Sequence, residues 1–548
     1  MPTVIVDGRE IEIGAHERLN CIEAARRAGT EIPHYCWHPG LSVVASCRMC
    51  LVETGSRDAA TGKITMVPKL VPGCQTPAKD GTVIVTDSPL VRESRARVEE
   101  ALLIDHPIDC PICDKAGECL LQDYHFQHGQ PQRRADLQPF HSRRRDVGPT
   151  VTLFVDRCIM CTRCVRFTRE VSGTAELMVT SRGAKEEIDS FPGFPLDNKL
   201  AGNVVDLCPV GALGDKDFLY QQRVWFLKRE ANVCGGCATG CSIVTEHNQD
   251  TVYRLKPREN PHVNRWWMCD DGRYGWHHLH DPARVAEVTR RAPGGESAVD
   301  WPDVVSRLRA DLAAAGGLAV VVSPMLTVEE AWMLATVARE IDPAALLALG
   351  PVPHGGADET YPGGFTIRAE KCPNRRGVEA VLAHFGPGIS RWDDLLDHVR
   401  SGRANAVWIT AAYPAPWIDA AAAAPFAGVS CLVVQDLFAS PLSDLDGGGA
   451  VRWRLPSVGF AERAGTWVNA GHRAQCFEQA IRPPAGVWPE GRLLWNMLGR
   501  RGLYDPAVIR REIAAAVPAL AVLGDDLPAT GLDLRILQLA ATESATHT

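Results

Sequence analysis

The chain has 548 residues and a formal net charge of −8, so it is long enough for about three to five domains and has no basic stripe for nucleic acid. Its N-terminus enters a strand pattern at once, without the basic and apolar regions of a secretory signal. The most apolar runs are too short, or too interrupted by Pro and Gly, to span a bilayer. We therefore expect no nucleic-acid partner and no direct membrane insertion.

The start of the chain predicts a β-hairpin followed by a helix. Residues 3–6 and 10–13 have strand patterns on either side of Asp7-Gly8, a pair that supplies the positive φ angles of a two-residue turn. In residues 19–28 the apolar residues then have the spacing of a helix, and Gly29 marks the end of this helix. Strand, turn, strand and helix, followed by cysteines, indicate a β-grasp ferredoxin domain.

Two further elements lead into groups of cysteines. Residues 88–105 predict a charged amphipathic helix, with Ser88 as its N-cap and Pro89 at its first position, and this helix ends at His106. Residues 151–155 predict a strand ahead of Cys158.

Beyond about residue 280 the composition shifts towards Ala, Leu, Val, Gly and Pro. Helical patterns at Trp301–Ala315 and Val328–Ile341 alternate with strand-like runs at 318–323 and 431–435. This alternation predicts an α/β region with a largely parallel sheet.

Fifteen of the nineteen cysteines, together with one histidine, form four sets of four. In a reducing compartment, cysteines at short fixed spacings favour metal ligands over disulfides, because thiols there stay reduced. The sets are Cys36, Cys47, Cys50 and Cys74; His106, Cys110, Cys113 and Cys119; Cys158, Cys161, Cys164 and Cys208; and Cys234, Cys237, Cys241 and Cys269. Cys21, Cys372, Cys431 and Cys476 are left over.

The first set follows the plant-type plan for a binuclear cluster. Cys36-x10-Cys47-x2-Cys50 occupies one loop, and Cys74 closes the site from a distance. This spacing favours [2Fe–2S], with a zinc site as the alternative.

In the second set His106 precedes three cysteines at tight spacing, Cys110-x2-Cys113-x5-Cys119. A single histidine is usually a satisfied surface or core residue, but its place ahead of this run predicts that it is a ligand. An imidazole in place of a thiolate changes the charge of a cluster and therefore its potential.

The third set is the ferredoxin run Cys158-x2-Cys161-x2-Cys164, with Thr168 where a fourth local cysteine is expected. Cys208, which Pro209 follows, is the predicted fourth ligand of a [4Fe–4S] cluster.

The fourth set, Cys234-x2-Cys237-x3-Cys241, is completed by the single Cys269 after a gap of 27 residues. A zinc ribbon has paired cysteines at both ends, so [4Fe–4S] is the better interpretation. The set resembles the N-terminal cluster domain of molybdopterin oxidoreductases.

Taken in order, these residues resemble the large iron–sulfur subunit of respiratory complex I, the G subunit of bacterial NADH:quinone oxidoreductase. The resemblance extends from the N-terminus to about residue 280 and depends on three signatures. They are His106-Pro-Ile-Asp-Cys110-Pro-Ile-Cys113-Asp-Lys-Ala-Gly-Glu-Cys119, Asp156-Arg-Cys158-Ile-Met-Cys161-Thr-Arg-Cys164-Val-Arg-Phe and Asp206-Leu-Cys208-Pro-Val-Gly-Ala-Leu.

Beyond residue 280 the resemblance is limited to Ala461-Glu-Arg-Ala-Gly-Thr466-Trp-Val-Asn469, which is similar to a turn near the end of the molybdopterin-oxidoreductase core. Catalytic relatives carry a lysine two residues after the last cluster cysteine, whereas this chain has Asp271. Neither Cys372 nor Cys431 lies in a motif that indicates a molybdenum ligand. We therefore expect no molybdopterin.

The resemblance implies a multidomain α+β and α/β architecture. It begins with a β-grasp [2Fe–2S] ferredoxin domain and ends with a degenerate molybdopterin-oxidoreductase-like α/β region. The expected domains are 1–80 ([2Fe–2S] type), 81–121 (His/Cys3 [4Fe–4S]), 122–226 ([4Fe–4S] ferredoxin-like), 227–283 ([4Fe–4S] of the molybdopterin-oxidoreductase type) and 284–548 (truncated, without cofactor).

The resemblance also implies one [2Fe–2S] and three [4Fe–4S] clusters bound through the four sets, and no catalytic residue in this chain. Electrons would come from a flavin- and NADH-binding subunit and pass to a ferredoxin-like subunit with two [4Fe–4S] clusters. Other peripheral-arm subunits would complete the complex at the cytoplasmic side of the bacterial inner membrane. The fourth cluster would be a side branch or a structural staple.

Two alternatives stay open at this point. The chain could be the electron-transfer part of an NAD-linked formate dehydrogenase or hydrogenase, which shares the first three cluster domains. It could instead be a zinc-bearing structural subunit without a redox role.

Overall fold

The computed structural model describes residues 2–535 except 133, 136, 140–143, 184, 387, 446–448 and 525. The chain divides into two compact units. Unit 1 comprises Met1–Leu227 and Tyr361–Gly364, and unit 2 comprises Lys228–Thr360 and Phe365–Thr548. Among the described residues, no helix combines the length and the apolar character needed to cross a bilayer.

Unit 1 contains thirteen strands and five α-helices within its described residues. The strands are β1 (Thr3–Val6), β2 (Arg9–Glu12), β3 (Leu19–Asn20), β4 (Leu51–Arg57), β5 (Ile64–Met66), β6 (Val71–Pro72), β7 (Pro77–Ala78), β8 (Thr82–Val85), β9 (Arg144–Asp146), β10 (Val151–Phe154), β11 (Leu177–Thr180), β12 (Glu187–Ser190) and β13 (Leu213–Asp215). The helices are α1 (Cys21–Arg27), α2 (Pro89–Asp105), α3 (Leu120–His128), α4 (Arg163–Phe167) and α5 (Asn203–Leu207).

The first sheet of unit 1 has the strand order β2-β1-β8-β4-β5, with β1 parallel to β8. The predicted hairpin is confirmed, because Asp7 and Gly8 both have positive φ angles, 47° and 82°, between β1 and β2. The sheet continues past residue 80, where we expected the first domain to end, since β8 pairs with both β1 and β4.

Helix α1 begins two residues later than expected. Asn20 accepts a hydrogen bond from the backbone of Glu23, and the Glu23 carboxylate accepts one from the Asn20 N–H. This capping box fixes the helix start at Cys21. Leu19 and Asn20 instead form β3, which pairs with β7.

Helix α2 confirms the prediction for residues 88–105. The Ser88 side chain caps it by accepting from the Val91 N–H, and Pro89 occupies its first position. Helix α3 crosses the expected domain boundary between residues 121 and 122, so the second and third segments share an element there.

Strands β9, β10 and β13 form an antiparallel sheet in the order β13-β10-β9, and β11 pairs with β12. After α4 the chain continues as a π-helix over Thr168–Ser172. Residues 361–364 pack on the end of that π-helix. The Gly363 N–H donates to the Val171 carbonyl at 3.1 Å, and a Cβ atom on Gly173 would lie 2.8 Å from Pro362.

Unit 2 contains the remaining fifteen strands and eight α-helices of the described residues. The strands are β14 (Lys228–Val233), β15 (Ser242–Asn248), β16 (Thr251–Pro257), β17 (Thr289–Ala292), β18 (Gly295–Ala298), β19 (Leu318–Val322), β20 (Leu346–Leu349), β21 (Glu359–Thr360), β22 (Thr366–Ile367), β23 (Ala406–Thr410), β24 (Cys431–Asp436), β25 (Val451–Pro456), β26 (Gly465–Val468), β27 (Arg473–Phe477) and β28 (Leu532–Asp533). The helices are α6 (Asp270–Tyr274), α7 (Trp301–Ala315), α8 (Val328–Ile341), α9 (Arg375–Phe385), α10 (Trp392–Arg400), α11 (Ala420–Ala423), α12 (Glu490–Met497) and α13 (Pro506–Ala516).

A seven-stranded sheet with the order β18-β17-β25-β24-β23-β19-β20 forms the centre of unit 2. Its strands β25, β24, β23, β19 and β20 are parallel, as the sequence predicts. Side chains alternate between two hydrophobic cores, so Val320 and Trp408 belong to one and Val321 and Ile409 to the other. Helices therefore cover both faces of the sheet.

A smaller antiparallel sheet, β14-β15-β16, precedes this α/β region. It carries Cys234 directly after β14 and Cys241 directly before β15, while Cys269 is the N-cap of α6.

Candidate iron–sulfur centres

The first set of cysteines lies in the loops around β4 and β6. The Cys36 thiol contacts those of Cys47 and Cys74, and these hydrogen bonds, first from Cys47 and then from Cys74, lower the pKa of Cys36 well below its usual value. Cys50 and Cys74 contact each other in the same way. The loop is folded tightly, since Arg48 has a φ angle of 59°. The structure thus brings all four predicted ligands together.

The second set follows α2, with His106 as the C-cap of that helix. Burial lowers the pKa of His106 to about 4, so the ring is neutral at neutral pH, the form that binds metals. Its Nδ1 atom is buried and has no hydrogen-bond partner among the described residues. Burial raises the pKa of Cys119 to about 11, and Cys113 lies within electrostatic reach of it.

Arg157 lies near two members of the second set, His106 and Cys113. Its charge acts on both His106 and Cys113, secondary to burial in each case. Its guanidinium also donates to Asp109 at 3.1 Å and lies over the Phe154 ring.

The four cysteines of the third set line one small cavity. Met160 and Thr162 have positive φ angles of 51° and 59°, which turns the Cys158–Cys164 loop back on itself. Burial raises the pKa of Cys161 to about 11 and that of Cys164 far above its usual value. Thr168, at the expected fourth position, donates its hydroxyl hydrogen bond to the Val165 carbonyl.

In unit 2 the fourth set lines a cavity of about 140 Å³. Glycines allow the close approach, because a Cβ atom on Gly272 would lie 3.0 Å from the Cys234 sulfur. Cys269 accepts from the Gly272 N–H at 3.4 Å.

Lys371 lines the same cavity, and the sequence analysis did not single it out. Its charge acts to lower the pKa of Cys234, although burial, the larger effect, raises that pKa to about 12. Asp271, two residues after Cys269, also lines the cavity. Lys371 therefore places a positive charge beside the fourth set, although it lies far from these cysteines in the sequence.

The remaining cysteines lie outside the four sets. Cys21 is wholly buried near Cys50, and burial raises its pKa to about 12. Cys372 lies 3.4 Å from a Glu370 oxygen, Cys431 begins β24, and Cys476 contacts the Thr466 hydroxyl.

The donor chemistry of the four sets fits iron–sulfur clusters. Thiolates are the ligands such clusters require, and each cluster distributes its ligands over several iron atoms. Within the described part of the chain, no three or more His, Cys, Asp or Glu side chains form a group that could hold a single metal ion. A single metal ion needs its ligands close together, whereas a cluster needs room for its sulfide core between them.

Three family models match unit 1. They are a 2Fe-2S iron-sulfur cluster binding domain over residues 2–89, the NADH-ubiquinone oxidoreductase-G iron-sulfur binding region over 95–134, and the ferredoxin-like domain of NADH-quinone oxidoreductase subunit 3 over 148–214. Together they include the twelve predicted ligands of the first three sets.

Curated relatives agree with these models. The G subunit of NADH-quinone oxidoreductase from Rickettsia felis is 39% identical over 276 residues, 50% of this chain and 39% of the relative. NADH dehydrogenase [ubiquinone] iron-sulfur protein 1 of Solanum tuberosum mitochondria is 37% identical over 55% of this chain and 39% of the relative. The corresponding G subunit from Streptomyces coelicolor is 33% identical over 62% of this chain and 39% of the relative.

The chain thus spans about two-fifths of the length of the curated relatives it matches. A solved chain of an NAD+-reducing [NiFe]-hydrogenase is 29% identical over 41% of this chain and 91% of its own length, with a TM-score of 0.33, too low to support a structural argument. Over residues 2–214, which include the first three sets, the chain is thus similar to the iron–sulfur regions of the large subunit, or G subunit, of NADH-quinone oxidoreductase.

Proposed function

We propose that the chain is an electron-transfer subunit of an NADH-quinone oxidoreductase, which relays single electrons from a flavin subunit towards quinone. The observation that carries this proposal is the contact between the ligand segments of unit 1. Arg166 donates to the carbonyls of both Cys36 and Cys161, and the Leu120 N–H donates to the Pro209 carbonyl at 2.9 Å. Segments of the third set thus contact segments of both other sets.

The proposed ligands are the four sets already defined. The first would hold [2Fe–2S], and the second, third and fourth would each hold [4Fe–4S]. Bound clusters of these types take up and release one electron at a time. The protein contributes the thiols, the neutral His106 ring and the burial that keeps water from most of these side chains.

The proposed partners are a flavin- and NADH-binding subunit, a ferredoxin-like subunit with two [4Fe–4S] clusters, and other peripheral-arm subunits of the complex. The proposed location is the peripheral arm of a membrane complex, on the cytoplasmic side of the bacterial inner membrane. The names of the relatives support membership of such a complex, but they do not identify the individual partner subunits.

We further propose that no molybdopterin binds next to the fourth set. The cavity that lies next to the fourth set and is lined by Asp271, Phe460, Arg463 and Trp467 measures about 40 Å³, whereas small-molecule sites usually measure about 300–1,000 Å³. The fourth cluster would then lie on a side branch of the electron-transfer route or have a structural role.

Metal and sulfide analysis of the full chain, purified without oxygen, tests the proposal. We expect about 14 iron atoms per chain with matching acid-labile sulfide, and EPR signals that titrate with potential. Stoichiometric zinc with no sulfide would favour the structural alternative. Molybdenum in the purified complex would favour the formate dehydrogenase alternative, and nickel would favour the hydrogenase.

A further inference from the structure

Arg166 on α4 carries a buried guanidinium between two of the ligand sets. Arg166 is only 8% exposed to solvent. It donates to the carbonyl of Cys36 in the first set and, at 3.2 Å, to that of Cys161 in the third. A further bond joins it to the Ser42 carbonyl at 2.5 Å. One positive charge therefore lies against the backbone of both sets.

Arg163, one turn earlier on the same helix, is arranged in a similar way. It is 7% exposed and donates to the carbonyls of Trp37, at 2.6 Å, and Leu207, at 3.2 Å. These residues are the immediate neighbours of Cys36 and Cys208 in the sequence. Both arginines thus connect the first set to the third.

Neither guanidinium has a carboxylate partner among the described residues. The hydrogen bonds of Arg163 and Arg166 all go to backbone carbonyls, and the Nε atom of each is buried without a hydrogen bond. Burying an unpaired charge is energetically costly, so buried arginines normally have an anion beside them. Within the described part of the chain, no carboxylate hydrogen-bonds to either guanidinium.

The cysteine sets supply the missing negative charge once they hold clusters, because thiolate ligands outweigh the positive charge of the iron–sulfide core. Arg163 also lies within electrostatic reach of Cys161 and Cys208. The two buried cations and the two anionic sites would then compensate each other.

We propose that Arg166, assisted by Arg163, is the shared counter-charge of the first and third clusters and raises the reduction potentials of both. This inference depends on the proposed function, since it requires clusters at both sets. A nearby positive charge favours the reduced form, which carries one more negative charge than the oxidised form. Arg166 acts through its charge and through the ligand carbonyls, so it is a positioning residue.

Redox titration followed by EPR on the full chain provides the test, with three variants. Arg166→Gln removes the positive charge. Arg166→Lys keeps the charge but loses the planar hydrogen-bonding geometry of the guanidinium. Arg169→Gln, on the following turn, removes an exposed arginine of equal charge. The His106 set is an internal reference, because neither buried guanidinium hydrogen-bonds to it.

We expect Arg166→Gln to weaken reduction of both clusters about tenfold, which for a one-electron couple lowers each potential by about 59 mV. Arg166→Lys should stay near the wild-type values, and Arg169→Gln should match them. Loss of both clusters in Arg166→Gln, with retention in Arg166→Lys, would also support the proposal.

Bound clusters with equal potentials in Arg166→Gln and Arg169→Gln would overturn the inference and leave the proposed function standing. Loss of the clusters in Arg166→Lys as well would also overturn it, since hydrogen-bonded packing rather than charge would then be the role. A wild-type chain without iron and sulfide would instead refute the proposed function itself, so the two failures are distinguishable.

Discussion

The sulfur of Cys113 lies against Gly211 so closely that a Cβ atom on that glycine would stand 2.2 Å away. Gly211 follows the Cys208-Pro209 ending of the third set, so this contact joins the second set to the third. A free cysteine side chain could rotate away from a methyl group, but a ligand sulfur is held in place.

Gly211→Ala should therefore disturb the His106 cluster without replacing any of its predicted ligands, because the added methyl group presses on the Cys113 sulfur. We expect loss of about 4 iron atoms per chain, or a displaced EPR signal of that cluster. Gly294→Ala is the matched control, since nothing lies within 4 Å of its added Cβ. Normal iron content and an unchanged signal in Gly211→Ala would show that Cys113 does not hold its sulfur at this position.

His106→Cys should keep a cluster and lower its reduction potential. A thiolate replaces the neutral ring and adds one negative charge, which disfavours the reduced form. EPR-monitored redox titration measures the change, with His128→Cys as a control that adds a cysteine outside the four sets. A spectrum and potential equal to wild type would remove His106 from the proposed ligands.

Cys21 and Cys50 provide a paired test of ligand assignment in the first set. Both are buried in the same hydrophobic core, but only Cys50 contacts another member of the set. Cys21→Ala should keep the [2Fe–2S] signal and cost about 1 kcal/mol of stability, whereas Cys50→Ala should lose that signal and about 2 iron atoms. The assignment fails if the signal disappears in Cys21→Ala and survives in Cys50→Ala.

Arg284 and Glu462 form a buried ion pair in unit 2, with both N–O distances at 2.7 Å. Arg284→Met should reduce the free energy of unfolding by about 3–5 kcal/mol, because the carboxylate stays buried without its partner. Arg307→Met is the control, since its pair with Asp303 is more than half exposed and should contribute below about 1 kcal/mol. Urea unfolding followed by tryptophan fluorescence measures both, and equal losses would contradict the prediction.

Asp436 should make the stability of unit 2 depend on pH. Burial raises its pKa to about 7, although the Trp417 and Leu437 N–H groups donate to it. In the unfolded chain the pKa is about 3.9, so between about pH 4 and 7 the folded state binds the extra proton. Stability should therefore fall as pH rises through this window.

Asp436→Asn removes this proton-binding difference. The variant should gain at most about 4 kcal/mol over wild type at pH 8 and much less at pH 5, in urea unfolding at the two values. Asp444→Asn, at an exposed position, should shift neither midpoint. A gain for Asp436→Asn that is equal at both pH values would show that the carboxyl does not titrate in this range.

Elements with strong local signals were predictable from the sequence. Helices α7 and α8 have the predicted bounds, since α8 combines an apolar stripe with a Thr327–Glu330 capping box. The start of α1 was misplaced because the spacing of apolar residues continued through Leu19, whereas the Asn20 cap determines where the helix begins.

The sequence could suggest the four sets because most of their members lie at short, regular spacings, and their binding of clusters stays a prediction. The residues that surround the four sets could not be predicted from the sequence. Arg163 bonds to a carbonyl 126 residues away and Arg166 to one 130 away, and backbone acceptors leave no trace in the residue types. Lys371 reaches the fourth set from a separate loop, so only the folded chain reveals it.

The four residues 361–364 that belong to unit 1 have a practical consequence for protein production. They cover the end of the π-helix that follows Cys164, through the bond from Gly363 to Val171. A recombinant fragment that stops at residue 227 would leave this surface bare. We therefore expect a fragment that carries the first three cysteine sets to be more stable when the 361–364 segment is kept or grafted onto it.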